Sequence, residues 1–204
     1  MNTIKRQAQK GYRFFSRLII IAFIASSISA CTTIALAVVA VTTIDILHDR
    51  RTAGEYIDDS SIELNATSFL LSKPEIRASA HVKPDSWNGI LLLTGEIDDE
   101  QVKPEIITYM SSIQGVRQLV DETTITGKTA LLARTNDVWI TSKVKSSLVL
   151  RTGLRANRIK VITTRGTVYL MGIVTTEEAD QATEIARGIR GVARVVKVFE
   201  FVES

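Results

Sequence analysis

Few residues in this 204-residue chain can do covalent or metal chemistry. There is one cysteine, Cys31, and there are two histidines, His48 and His81, in different segments. A single thiol excludes an intramolecular disulfide framework and a cysteine zinc finger, and two separated histidines leave little for a His-rich metal site. G-x-S-x-G, H-E-x-x-H and phosphate-cradling glycine loops do not occur. The acidic runs Asp58-Asp59 and Asp98-Asp99-Glu100 could suggest a cation, but they read as solvated helix starts favoured by the helix dipole. Trp87, in a Pro-Asp-Ser-Trp-Asn-Gly stretch, reads as a loop anchor. The sequence therefore predicts no catalytic residue, no metal, no cofactor, no nucleic-acid partner and no small-molecule substrate.

What remains is a contact surface. Ile140, Val144 and Leu148 recur at i, i+4 and i+8 and define the core face of a helix. Trp139 is one step, ~100°, off that stripe, and Lys143 and Leu150 share its side. With Val138, Lys145 and Arg151 they form a candidate lipid-binding face. An indole beside ammonium groups suits a membrane interface. The alternative is that Trp139 folds back onto the core and the lysines are simply solvated.

Cys31 has another setting. Residues 1–30 carry Lys5, Arg6, Lys10, Arg13 and Arg17 and no acid. Leu18 to Ile28 is an apolar run, and the small residues Ser29 and Ala30 follow it. This is the order of a secretory signal peptide. Ile28-Ser29-Ala30-Cys31 resembles a bacterial lipobox. That resemblance implies cleavage before Cys31, diacylglycerol on its sulfur and a fatty acid such as palmitate on its new amino group. Thr32, not Asp, follows the cysteine, which in bacterial lipoproteins implies export to the outer membrane. The alternative is an uncleaved inner-membrane signal anchor. No charge lies between Arg17 and Asp45, and those 27 residues exceed the ~20 a span needs. Cleavage would leave only Thr32 to Ile44, too short to cross. Residues 31–57 then read as a lipidated tether that turns polar at His48-Asp49-Arg50-Arg51.

Beyond the leader the charge is segregated. Residues 31–135 hold nine basic and fifteen acidic residues, net −6, and residues 136–204 hold eleven and seven, net +4. Hydrophobic residues make up 45%, which excludes a disordered chain.

The rest is one unit written twice. GILLLTG at 89–95 matches GTVYLMG at 166–172, an offset of 77, and Gln114-Gly115-Val116-Arg117 matches Arg190-Gly191-Val192-Ala193 at 76. Each unit reads α-β-β-α-β. In the second, Asn136 or Asp137 caps the first helix, Arg165-Gly166 turns a hairpin, Thr175 and Glu178 form a capping box, and Gly191 ends the second helix. In the first, Ser60 and Glu63 suit a capping box and Asn88-Gly89 is a hairpin signal. The expected architecture is α+β, two αββαβ domains at 58–126 and 135–204. A signal peptide (1–30) and the tether precede them, and a linker (127–134) joins them.

This arrangement resembles the BON domain, a periplasmic αββαβ module. Gly95 and Gly172, the pairs Gly115-Val116 and Gly191-Val192, and the valine-rich last strands carry the likeness. A lipobox ahead of two such units resembles the dual BON-domain outer-membrane lipoproteins, most in the segments 136–144 and 168–172. The resemblance implies a non-enzymatic, periplasm-facing lipoprotein that binds anionic phospholipid, supports envelope integrity and joins the division site. The alternative is a scaffold that recruits an envelope protein partner.

Overall fold

The computed structural model describes residues 50–126, 131–152 and 158–203, which belong to one compact unit. The leader, Cys31 and the tether up to residue 49 lie outside the described residues, as do linker residues 127–130.

The first module comprises α1 (Ala53–Ser72), a short α2 (Pro74–Ser79), β1 (Ala80–Trp87), β2 (Ile90–Ile97), a 3-10 turn (Glu100–Val102), α3 (Lys103–Ser112) and β3 (Gln118–Ile125). The second comprises α4 (Leu131–Thr152), β4 (Ile159–Thr164), β5 (Thr167–Val174), α5 (Thr176–Arg187) and β6 (Arg194–Phe201). The class is α+β, as expected. Each module has a three-stranded sheet, in the orders β1-β2-β3 and β4-β5-β6. The first two strands of each sheet form an antiparallel hairpin. The third runs parallel to the central strand, because a helix crosses over between them.

The central strands are buried at nearly every position because both their faces are covered. Leu91, Leu93 and Ile97 pack under Ile62, Ala66, Ile106 and Met110 of α1 and α3. Val168, Leu170 and Val174 pack under Ile140, Val144, Leu148 and Ala182 of α4 and α5. The other faces meet each other: Trp87, Ile90 and Leu92 pack against Tyr169, Met171 and Val198 in a seam between the sheets. Each such side chain contributes about 1.5–3 kcal/mol when buried.

Polar groups rim this seam reciprocally. Arg117, just ahead of β3, pairs with Glu200 of β6 at 2.9 Å, and Arg194, at the start of β6, pairs with Glu122 of β3 at 2.7 Å. The two modules are thus related approximately by a two-fold axis, their central strands antiparallel. Arg50, ahead of α1, also crosses the seam. Arg50 donates to the Ile173 carbonyl at 2.9 Å and to Glu178 at 2.6 Å. Arg51 pairs with Asp59 at 2.7 Å and lies 3.6 Å over the Trp87 ring.

Several local expectations change. α1 starts at Ala53, capped by a Thr52–Glu55 capping box, so residues 53–57 of the expected tether are helical. Ser60 and Glu63 lie inside α1, and Glu63 instead accepts from the Ser86 amide at 2.8 Å. Neither Asn136 nor Asp137 caps α4, which begins at Leu131. The C-cap of α5 is Gly188, not Gly191. Trp87 ends a strand rather than sitting in a loop, and it anchors the seam. The Thr175–Glu178 capping box forms as the spacing predicts.

Candidate functional site

A buried carboxylate in each module fixes how its first helix is rotated. Asp137 accepts from the amides of Arg165 and Gly166 at 2.8 and 2.9 Å. These two residues form the β4–β5 turn with φ of 51° and 72°. Asp59 does the same in the first module, accepting from the Asn88 and Gly89 amides at 2.7 and 2.9 Å, from Ser86 Oγ at 2.6 Å and from Arg51. Burial alone would raise the Asp59 pKa. The Gly89 amide, Ser86, Arg51 and the Asn88 amide outweigh it and hold the carboxyl below its ordinary value. Asp58-Asp59 is therefore not a solvated pair, since Asp59 is only 3% exposed. In the other acidic run Asp99 caps the 3-10 turn, accepting from the Gln101 amide at 2.9 Å.

With Asp137 pinned and Ile140, Val144 and Leu148 buried, α4 turns its remaining residues outward. Val138 is 68% exposed, Trp139 46% and Leu150 83%. Trp139 does not fold back onto the core. Lys143, Lys145 and Arg151 are also exposed. Lys143 Nζ sits 5.8 Å over the Trp139 ring, within the range of a cation–π contact. Leu150 lies on the same side, ~16 Å further along the axis at 1.5 Å per residue. Val138 and Lys145 lie on the next ridge. That ridge also carries Val149, which is 42% exposed and which sequence reasoning missed; its position four residues after Lys145 could have revealed it. The face is an apolar strip bordered by cations.

Beside α4 the structure opens a groove of about 410 Å³ between the modules, which sequence reasoning also missed. It runs between α4, β4 and β1, with His81 and Lys83 on one wall and Thr141 and Ser142 on the other. Across the seam the corresponding space is filled. Lys160 Nζ reaches Glu63 Oε1 at 2.6 Å and Asp85 Oδ1 at 2.8 Å. Burial opposes the Lys160 charge, but Asp85 and Glu63 outweigh it and raise its pKa. Burial likewise raises the pKa of Asp85, more than Lys160 lowers it.

Among the described residues no group of three His, Cys, Asp or Glu side chains could hold a metal ion. Among them, too, no helix is long and apolar enough to cross a membrane. Cys31 lies outside the described residues.

Known proteins share this chain's pattern. The BON domain family matches residues 58–127 and again 136–203. Outer membrane lipoprotein DolP of Haemophilus influenzae is 32% identical over 158 residues, covering 78% of this chain and 82% of its own. The 21 kDa hemolysin of Actinobacillus pleuropneumoniae is 30% identical over 155 residues, covering 76% and 80%. Osmotically-inducible protein Y of Escherichia coli is 25% identical over 146 residues, covering 70% and 72%.

Proposed function

Since the chain belongs to the BON domain family, we propose that it is a non-enzymatic outer-membrane lipoprotein facing the periplasm. Its second module docks on anionic phospholipid through the outward face of α4, and the protein supports envelope integrity, including at division sites. The observation that carries this reading is the exposed strip of Val138, Trp139 and Leu150 bordered by Lys143, Lys145 and Arg151. The likeness to the Haemophilus outer membrane lipoprotein supports the compartment, and the order of the leader supports the anchor.

Electrostatics supports a direction. Residues 136–204, which carry the outward face of α4, are net +4 and residues 31–135 net −6, so an anionic leaflet attracts the first and repels the second. Each basic residue near such a leaflet contributes about 1 kcal/mol. Three of them give ~3 kcal/mol, a millimolar-range affinity. That suffices once Cys31 holds the domain at the surface, where the effective concentration is high. The strip adds insertion that salt does not screen.

Two experiments test this. Labelled palmitate should enter the wild type and not Cys31→Ala, and intact mass should show the chain starting at Cys31. Retention of residues 1–30 would replace the lipid anchor by a signal anchor. For docking, the full chain is reconstituted through its anchor into vesicles, and quenching of Trp139 by brominated lipid is read. Quenching should be stronger in phosphatidylglycerol than in phosphatidylcholine. Lys143→Glu changes two units of charge, ~2 kcal/mol, and should weaken docking about 30-fold. Equal quenching in both lipids would sink the reading. It would favour a protein-binding scaffold instead, for which Ile57, Leu64 and Leu71, exposed at seven-residue spacing on α1, offer a surface.

A further inference from the structure

The duplication places a lysine at one position in both modules and treats the two differently. Lys83 lies opposite Thr94, one residue before Gly95, and Lys160 lies opposite Met171, one residue before Gly172. Lys160 is held by Glu63 and Asp85. Because Asp59 and Asp137 grip equivalent turns, the helices align, and Thr141 is the counterpart of Glu63. The sheet register likewise makes Ile162 the counterpart of Asp85. Around Lys83, then, a hydroxyl and an alkyl group stand where carboxylates hold its twin. Among the described residues no ion pair reaches Lys83.

The space so left is the open groove. Its carboxylates are engaged. Asp137 accepts two backbone amides, Asp85 holds Lys160, and Glu96 is 5% exposed and has a partner of its own. Its hydroxyls include donors. Thr163 Oγ1 accepts from Thr141 Oγ1 at 2.7 Å and keeps its own O–H to give. Val138 and Ser142, on the outward side of α4, form one lip.

We infer that this groove is a headgroup subsite that takes the phosphate of the anionic lipid on which α4 docks. Lys83 of the first module supplies the charge, and Thr163 supplies a hydrogen bond. This rests on the docking reading above and deepens it: the two modules share lipid recognition, Trp139 and Leu150 entering the apolar layer and Lys83 meeting the phosphate.

The test uses the same reconstituted full chain. Lys83→Glu should weaken docking on phosphatidylglycerol vesicles about tenfold or more, the scale of one charged hydrogen bond. Lys83→Arg should keep it. Thr141→Glu, which copies the arrangement around Lys160, should close the groove and lose docking equally while thermal stability is kept. Inorganic phosphate should not compete, because it lacks the α4 contact. Competition by it would reassign the groove to a free anion and overturn the headgroup assignment. If Lys83→Glu and Thr141→Glu dock like wild type while Lys143→Glu fails, the inference is wrong and the docking reading stands. If Lys143→Glu also docks normally, the docking reading falls and takes the inference with it.

Discussion

Asp59→Ala should destabilise the folded unit by about 3–5 kcal/mol, the cost of removing one partner of a buried ion pair. The carboxylate serves two turn amides, Ser86 and Arg51. Its loss takes the Asp59 carboxylate away from the guanidinium that lies over Trp87. Asp137→Ala removes acceptors from two amides only and should cost about 1–3 kcal/mol. Urea denaturation of the full chain in detergent measures both. The sign with pH is fixed. The folded pKa of Asp59 lies below its ordinary value. Its contribution is therefore present above that ordinary value and is lost as pH falls through the folded one. Wild type should lose stability on acidification in a limb that Asp59→Asn lacks. Equal acid limbs in the two proteins would show that Asp59 does not control the transition.

Gly95→Ala should be as damaging. Gly95 has φ of +119°, and a Cβ there would lie 2.0 Å from the His81 carbonyl oxygen. The backbone strain alone is about 1–3 kcal/mol, and the clash is with main chain, which cannot turn aside. The β1–β2 ladder must part at this point. Gly172, its counterpart, has no positive φ, and its added Cβ would stand 2.5 Å from the Arg158 carbonyl oxygen. Gly172→Ala should therefore be the milder of the two. Soluble yield and unfolding midpoint rank them, and the reverse order would show that contact distance and φ do not govern these sites.

The order of elements was legible because its signals are local. Asn88-Gly89 and Arg165-Gly166 mark the hairpins, and Thr175 with Glu178 marks a helix start. Local signals fail where two sites carry the same one. Thr52 with Glu55 and Ser60 with Glu63 both spell a capping box, and only the first is used. Asp59 was misread because its neighbour Asp58 is solvated. Yet Asp59 lies three residues before Ile62, on the stripe that Ala66 and Leu70 continue, so its burial was visible to the same periodicity that found the core. Of the outward face of α4, Trp139, Lys143 and Leu150 followed from angle alone. The groove did not, because it exists only once two sheets pack face to face with central strands antiparallel.

That near two-fold packing has a consequence for what the protein could acquire. In a dimer of identical modules, any substitution appears on both sides of the axis at once. A lysine sealed by carboxylates would be sealed twice, and an open groove would be open twice. Fusing the modules into one chain lifts that restriction. One flank can then be closed with Glu63, Asp85 and Lys160 to hold the halves together. The other can drop its acids and remain accessible. Joining the copies thus lets firmness and reception vary independently, which a symmetric pair of single modules cannot do.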